Sequence, residues 1–332
     1  MIRRFCFTLL AFLVLAAPAA AKAPAVGIGD QHPEMFADPA FTALGVKHTR
    51  YLLAWDWYRD AHAVWATDVW MNAAHRAGVR PLVAFTRNWR RSGQYKLPAL
   101  KLYRKSLRTF RARYPWVRDF SAWNEANHTA QPTANKPKAA ARYYNAMRRD
   151  CRGCTIVAAD ILDTPTMVEW VKKFKRYAPK ARLWGLHNYK DANDRMGTTR
   201  KLLRAVRGKV WLTETGGILR LKPHPGSHGD GRKHTKAHQA GAVARVFKIA
   251  RSSRRVQRVY FYEWRKQPKN RWDSAFLNAD GTPRPAYFTL RRHLRRGQRT
   301  RTFARSATPP SSSQKPATAG RNGSLPVRGS CS

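Results

Sequence analysis

The sequence has 332 residues, of which 43% are hydrophobic and 11% aromatic. That length suits one large domain or two small ones, and the apolar content excludes a chain that is disordered throughout. The 64 lysines and arginines outnumber the 19 aspartates and glutamates, and the formal net charge is +45. A surface of this kind attracts polyanions. An arginine-rich composition that serves no particular partner explains the charge equally well.

The N-terminus has the order of segments that is typical of a secretory signal peptide. Arg3 and Arg4 precede an apolar run over residues 5–15, and small residues ending at Ala21 follow it. We expect residues 1–21 to be removed and the mature protein to be secreted or to stay at the cell envelope. The apolar run is short for a membrane span, and no later segment is long and apolar enough to be one. A buried N-terminal helix is the alternative.

After this segment, strand-like and helix-like stretches alternate eight times. That count predicts a single (β/α)8 barrel over residues 22–296. An open doubly wound sheet is the alternative, but the run Gly27-Ile28-Gly29-Asp30 lacks the third glycine of its usual first turn. The predicted strands are 26–30, 49–55, 81–86, 119–123, 155–159, 183–189, 210–214 and 257–264. The predicted helices are 33–44, 66–77, 97–114, 136–150, 164–177, 198–206, 234–251 and 284–294.

The composition changes at residue 297. Residues 297–332 are rich in Ser, Thr, Pro and Arg, so we expect a disordered basic tail. Export favours a disulfide between Cys151 and Cys154, which end a predicted helix. A zinc site would need a second pair of ligands, and a redox Cys-x-x-Cys normally opens a helix instead of ending one.

Glutamate is scarce in this chain, and three of its five glutamates lie at the ends of predicted strands. They are Glu125 in strand four, Glu214 in strand seven and Glu263 in strand eight. A barrel builds its active site at the C-terminal ends of its strands. Cleavage of a glycosidic bond needs one carboxyl group to protonate the leaving oxygen and another to attack the anomeric carbon or activate water. Glu125 and Glu214 are the predicted pair, although either could be an ordinary ion-pair member.

From about residue 26 to residue 294, the chain resembles the clan A glycoside hydrolases, a retaining (β/α)8 group with cellulase-like and xylosidase- or iduronidase-like families. Asn124-Glu125 matches the Asn-Glu pair of strand four, and Glu214 matches the nucleophile of strand seven. The resemblance implies that Glu125 is the acid/base and that Asn124 bonds the sugar 2-hydroxyl. The usual proline after the acid is Ala126 here, and the loop after strand seven is long and basic, which leaves substrate choice open.

The same resemblance implies roles for four further residues. His187 and Tyr189 match a His-x-Tyr of strand six, in which the tyrosine bonds the nucleophile and the histidine lines the sugar site. Arg50 resembles a basic residue that keeps the nucleophile ionised. Trp264 resembles the aromatic floor beneath the sugar. If Trp264 faces the mouth of the barrel, Glu263 should face the outer helices.

Unequal pairing is expected to separate the pKa values of the two catalytic candidates. Arg50 beside Glu214 would favour the ionised nucleophile, while Glu125, less well paired, would stay protonated until it acts. Other strand ends offer possible sugar contacts, since rings stack on the CH faces of sugars. These candidates are Trp55, Asp56 and Asn88, and ordinary loop packing explains each at least as well.

The sequence therefore predicts a secreted, monomeric, retaining glycoside hydrolase that acts on a poly- or oligosaccharide, with some preference for an acidic one. No cofactor or metal is expected, because His234 and His238 have the spacing of a metal pair but no nearby glutamate. Nucleic acid is not expected as a partner. The alternatives are a non-catalytic carbohydrate-binding barrel and a secreted polyanion-binding protein, whose binding would survive the loss of Glu125.

Overall fold

A computed structural model describes residues 23–90, 92–222 and 231–306. The predicted signal peptide, most of the strand-seven loop and residues 307–332 of the predicted tail lie outside these ranges. The larger sheet consists of nine parallel segments and the smaller one of three antiparallel strands. In chain order the strands are β1 (Ala25–Gly29), β2 (His48–Ala54), β3 (Arg80–Thr86), β4 (Asp119–Ser121), β5 (Thr155–Val157), β6 (Asp160–Leu162), β7 (Leu183–His187), β8 (Lys209–Thr215), β9 (Arg220–Leu221), β10 (Arg232–Lys233), β11 (Val256–Tyr262) and β12 (Trp272–Asp273).

The nine parallel segments form eight barrel strands, because β5 and β6 are two parts of the fifth. The sheet order is β5-β4-β3-β2-β1-β11-β8-β7-β6, so its two ends are these consecutive segments. Between them, the Asp160 amide donates to the Trp123 carbonyl at 2.9 Å, and the Ala158 amide donates to the Leu183 carbonyl at 2.9 Å. These bonds close the sheet across the fifth strand. The predicted (β/α)8 barrel is confirmed.

Helices surround the barrel, and most lie where the sequence predicts them. They are α1 (Pro39–Thr42), α2 (Ala61–Arg76), α3 (Leu100–Arg113), α4 (Pro137–Asp150), α5 (Met167–Tyr177), α6 (Tyr189–Asp194), α7 (Thr198–Ala205), α8 (Lys236–Arg251) and α9 (Pro285–Ser306). The predicted helix 33–44 is instead a 3₁₀ turn followed by α1. Asp38 between them is extended and accepts a hydrogen bond from the Ala40 amide, and Pro39 lacks the N–H that a continuous helix needs.

Several predicted boundaries are wrong at the C-terminal ends of elements, among them those of the sixth strand and the last helix. The strand predicted to reach Tyr189 ends at His187, and Tyr189 begins α6. The last helix, predicted to end at residue 294, continues to Ser306, so residues 297–306 are helical and do not belong to a disordered tail. The disulfide expected from the sequence is present, and it joins Cys151 at the end of α4 to Cys154.

The inside of the barrel changes from apolar to polar toward the C-terminal ends of the strands. Leu82, Val157, Trp211 and Tyr260 pack together as a buried cluster within it. The layer beyond this cluster, toward the C-terminal ends of the strands, is polar, and Arg50 lies at its centre. Arg50 follows His48 by two residues on the same strand. Side chains alternate across a strand, so positions 48 and 50 point inward, while Tyr51 points outward and packs on Trp70 of α2 with ring centres 4.5 Å apart.

A β-bulge in β8 determines which residue faces the barrel interior at its end. Gly185 of β7 pairs with Trp211, but His187, two residues on, pairs with Glu214, three residues on. The same shift occurs against β11. Trp211 packs inside the barrel, so strict alternation would send position 214 toward the helices. The extra residue re-aims Glu214 into the interior, which is a common use of a bulge beside a functional site.

Candidate active site

A pocket of about 660 Å³ opens at the C-terminal ends of the strands and is lined by both Glu125 and Glu214. Their carboxylates converge on one imidazole. The His187 Nδ1 atom lies 3.4 Å from Glu125 Oε1 and 3.8 Å from Glu214 Oε2. The turn after the fourth barrel strand and the ends of the sixth and seventh strands thus bring Glu125, His187 and Glu214 into one site, as the sequence predicts.

Both oxygens of Glu214 have donors. Arg50 donates to Oε2 at 2.7 Å, and the Tyr189 hydroxyl donates to Oε1 at 3.0 Å. A carboxylate held at both oxygens is fixed in orientation, and its lone pairs face a defined direction. The structure therefore places Arg50 and Tyr189 against Glu214, where the resemblance predicts them.

Arg50 connects the site beneath the pocket. Its buried guanidinium also donates to Asn124 Oδ1 at 2.6 Å and to Asp160 Oδ2 at 2.8 Å. Burial opposes the charge of Arg50, but the carboxylates of Asp160 and Glu214 raise its pKa above the usual value. Burial likewise favours a neutral Asp160, yet Arg50 lowers the pKa of that carboxyl to about 2. The pair is ionised in a region from which water is excluded.

Asp160 is a functional residue that the sequence analysis missed. It is fully buried, and its Oδ2 atom is 3.8 Å from His187 Nε2 as well as 2.8 Å from Arg50. The backbone makes room for it, because a Cβ on Gly185 would lie only 2.2 Å from Asp160 Oδ1. An aspartate at the end of an apolar strand was the available signal. It lies one residue beyond the predicted strand 155–159.

Glu125 has a backbone conformation that is uncommon for a residue with a side chain. Its φ angle is +45°, in the left-handed region. The neighbouring amides keep it there, since Asn124 donates to the Phe85 carbonyl at 2.7 Å and Ala126 donates to the Asp160 carbonyl at 2.9 Å. Unfavourable backbone angles that are enforced in this way tend to occur at functional sites.

The protonation of Glu125 differs from the expectation. Burial opposes a charge on His187, but Glu214, Asp160 and Glu125 raise the pKa of its imidazole to about 9. Burial would raise the pKa of Glu125, yet the hydrogen bond and charge of His187 lower it. The resting site at neutral pH therefore holds its proton on His187 and leaves Glu125 ionised. The expectation of a resting, protonated Glu125 is wrong because it overlooked this imidazole.

Trp264 does not form the floor of the pocket. It is 1% exposed and packs outside the barrel against Phe41, with ring centres 5.5 Å apart, while its indole N–H donates to Asp38 at 3.1 Å. Glu263 is also buried, and its Oε1 accepts from Asn270 at 3.3 Å. Burial and the charge of Asp30 raise the pKa of Glu263 to about 8. The expectation that Trp264 faces the mouth of the barrel is therefore wrong, and the inference for Glu263, which depended on it, does not apply.

Two other aromatic residues lie beside the catalytic candidates. Trp272 of β12 lines the pocket, and its ring centre is 4.7 Å from that of Tyr189. Tyr262 ends β11, and its phenol pKa is raised well above the usual value by burial and by the charges of Glu263 and Glu214. A tryptophan in a polar segment after strand eight was the sequence signal for Trp272. Alternation from Tyr260 would have indicated Tyr262.

The candidates from strands two and three lie apart from this pocket. Asn88 donates to Asp56 Oδ2 at 2.5 Å, and its own Oδ1 accepts from the Arg90 amide at 2.6 Å. Trp55 is 7% exposed. These three residues lie outside the lining of the pocket that Glu125 and Glu214 share.

Across the described ranges, no group of three or more His, Cys, Asp or Glu side chains is arranged to hold a metal ion. No described helix has the length and hydropathy to cross a membrane.

Solved structures with the same fold include several glycoside hydrolases. A family 39 glycoside hydrolase from Bacteroides cellulosilyticus is 13% identical with a TM-score of 0.55, and the match covers 82% of this chain and 64% of that one. A GH5_18 protein from Streptomyces cattleya, in complex with Manβ1-4GlcNAc, is 17% identical with a TM-score of 0.60 over 86% of this chain and 82% of that one.

Xylanase 10B from Thermotoga maritima is 12% identical with a TM-score of 0.60, and the match covers 85% of this chain and 97% of that one. No protein-family model and no curated protein matches the sequence. At these identities the likenesses show the fold. They confirm that the barrel suggested by the clan A resemblance is the one that clan members adopt.

Replacement of Asp160 by Asn should destabilise the protein strongly. The change removes the negative charge that two buried cations share, and loss of one partner of a buried ion pair costs about 3–5 kcal/mol. Urea unfolding at neutral pH would measure the free energy of unfolding. The exposed Asp280→Asn serves as the control and should change it by less than about 1 kcal/mol. Equal effects of the two substitutions would show that Asp160 does not stabilise the site.

Proposed function

We propose that this protein is a retaining glycoside hydrolase in which Glu214 is the nucleophile and Glu125 the acid/base. The observation that carries the proposal is the convergence of both carboxylates on His187 Nδ1 within one pocket. Glu214 is held at both oxygens by Arg50 and Tyr189, whereas the ion-pair partners of Glu125 among the described residues are His128 and His187. A fixed, ionised group beside a group that exchanges protons is the pair that double displacement requires.

In the first step Glu214 attacks the anomeric carbon, and Glu125 protonates the departing glycosidic oxygen. In the second step Glu125 takes a proton from water, and the resulting hydroxide displaces Glu214 with net retention. The amide oxygen of Asn124 is bonded to Arg50, so its NH₂ group is the end that faces a sugar hydroxyl. Trp272 supplies an aromatic wall for the sugar.

His187 supplies the proton for the first step. Its imidazolium is stabilised largely by the charge of Glu214. As Glu214 bonds to the sugar, that charge is neutralised and the pKa of His187 falls. The proton then moves from Nδ1 toward Glu125 Oε1, 3.4 Å away, and on to the leaving oxygen. Attack and protonation are thereby linked through one imidazole.

The substrate that we propose carries negative charge. Lys190, Lys222 and Arg271 line the same pocket. Apart from the two glutamates, Asp163 is the carboxyl group among the described residues of the lining, and burial raises its pKa to about 6. Three cations in the pocket that also holds the catalytic carboxylates favour a glycan with carboxylate groups, such as a uronate-containing polymer.

The proposed place of action is outside the cytoplasm. The order of segments at residues 1–21 supports export, and the Cys151–Cys154 disulfide is typical of a protein in an oxidising compartment. We propose that the mature chain acts there as a monomer on polysaccharide outside the cell.

Substitution of either glutamate should abolish turnover, in two distinguishable ways. Glu214→Gln should lower kcat on a reactive aryl glycoside at least about a thousandfold. Glu125→Gln should lower the rate about 10²–10⁴-fold on substrates with poor leaving groups and much less on activated ones, which need little acid assistance. Added azide should accelerate Glu125→Gln and yield a glycosyl azide of retained configuration. Glu169→Gln, on the outer helix α5, is the control. Wild-type rates in Glu214→Gln would refute the mechanism.

The alkaline limb of the pH profile should report His187. The imidazole is protonated below its pKa of about 9, so kcat/KM should fall as the pH rises through about 9. In His187→Gln the limb should shift to lower pH, because Glu125 must then hold the proton alone. Both profiles can be measured on an aryl glycoside from about pH 4 to 11. A wild-type limb near pH 5 would contradict storage of the proton on His187.

Loss of the pocket cations should affect acidic substrates selectively. Lys190→Gln combined with Lys222→Gln and Arg271→Gln should reduce kcat/KM on a cleaved uronate-containing oligosaccharide by about tenfold or more, since charge-assisted hydrogen bonds are lost. The same oligosaccharide with its carboxylates chemically reduced to alcohols is the matched control and should be affected little. Equal losses on both substrates would remove the case for an acidic one.

A further inference from the structure

A second groove lies on the outer wall of the barrel, between two neighbouring helices. It has a volume of about 530 Å³ and is lined by residues 135–139 and 142, at the start of α4, and by Lys173, Arg176 and Tyr177 of α5. We call it the α4–α5 groove. Among the described residues, its lining and that of the active-site pocket have no member in common.

The α4–α5 groove is strongly and uniformly basic. Five of its lining residues are cations, and all five side chains are exposed: Lys136, Lys138, Arg142, Lys173 and Arg176. Within the described part of the chain, no carboxylate lines the groove and none forms an ion pair with these five. Two arginines on other helices do have aspartate partners, in Arg113–Asp68 at 2.5 Å and Arg104–Asp150 at 2.7 Å. The charge of this groove is therefore left for a partner.

An aromatic ring lies at one end of the groove. Tyr177 is 45% exposed, and the Lys138 ammonium is 5.4 Å from the centre of its ring. The Asn145 side chain donates to the Tyr177 carbonyl at 2.9 Å and fixes the end of α5. An aromatic face beside cations can stack on the CH face of a sugar while the cations bind its acid groups.

We propose that the α4–α5 groove binds an anionic polysaccharide and holds the polymer on the protein at a site separate from the pocket. A nucleic acid fits less well, because single strands stack successive bases on several aromatic rings, whereas the described lining offers Tyr177 alone. A membrane surface fits less well too, because a helix that lies in the interface buries an apolar face in the lipid, and the described lining of the groove is mostly charged. The polymer class agrees with the proposed substrate, but groove binding does not depend on hydrolysis.

The test measures binding with a chain that cannot turn over. In a Glu214→Gln background, Lys136→Gln, Lys173→Gln and Arg176→Gln together remove three charges from the groove. The matched control removes three exposed charges elsewhere by Arg76→Gln, Lys101→Gln and Lys209→Gln. Polygalacturonate is the probe, and affinity electrophoresis at physiological salt gives the Kd. Thermal unfolding confirms that all variants are folded.

The groove variant should bind polygalacturonate about tenfold more weakly, because several modest surface charge contacts are lost together. The control variant should stay within about twofold. Tyr177→Ala should weaken binding with all charges retained. Equal losses in the groove and control variants would show that the overall charge suffices and would overturn the proposal.

Two further outcomes separate the alternatives. Tighter binding of a DNA oligonucleotide that is lost in the same groove variant would assign the surface to nucleic acid and overturn the proposal. If the groove variants bind polygalacturonate as expected but the wild-type protein cleaves no glycan, the polysaccharide-binding role of the groove is supported. Only the proposed hydrolysis is then refuted. The two proposals can thus fail independently.

Discussion

The buried charge of Arg50 is the constraint on which the site depends. A guanidinium inside a barrel must have negative partners, since an unpaired buried charge is very costly. Asp160 and Glu214 are those partners, and Asn124 takes a further N–H. Each partner is therefore fixed relative to the others. The apolar cluster one layer below, with Trp211 and Tyr260, excludes water from this network.

Two local departures from regular backbone make that arrangement possible. The bulge in β8 directs Glu214 into the barrel, and the left-handed angle of Glu125 lets its side chain leave the end of the fourth strand toward the same pocket. Both distort the strands, and both are supported by hydrogen bonds to neighbouring strands. The regular part of the barrel is rigid, and the two irregular positions orient the carboxylates of Glu125 and Glu214 toward the pocket.

The fold and the principal glutamates could be predicted from sequence because both produce local patterns. Alternating strand and helix segments gave the barrel, and scarce Glu125 and Glu214 at strand ends gave the site. The contacts of buried residues were harder to predict. Trp264 was expected to end the eighth strand, but the strand ends at Tyr262 and Trp264 packs in the outer core, since a sequence pattern does not reveal which way a residue near a strand end turns. An aspartate after an apolar strand was the one local sign of Asp160, and its role could not be inferred from it, because its partners come from strands distant in sequence.

The same limit explains the error over Glu125. Its protonation depends on His187, which lies 62 residues away in the chain and 3.4 Å away in space. Residues so far apart in the chain become neighbours when the barrel closes, so the local sequence does not reveal their contact. Helix ends, by contrast, were missed for local reasons. The helix α2 begins five residues earlier than predicted, because the Asp60 carboxylate caps it by accepting a hydrogen bond from the Ala63 amide.

The proton that His187 holds beside Glu125 and Glu214 has a consequence for inhibitors. A cationic sugar mimic, such as an iminosugar, would neutralise the carboxylates that hold the imidazolium and would expel its proton on binding. Because complex formation would then release a proton, affinity should increase with pH until the amine of the inhibitor itself becomes neutral. A pocket with one exchangeable proton and two carboxylates thus selects for cationic ligands in mildly alkaline solution.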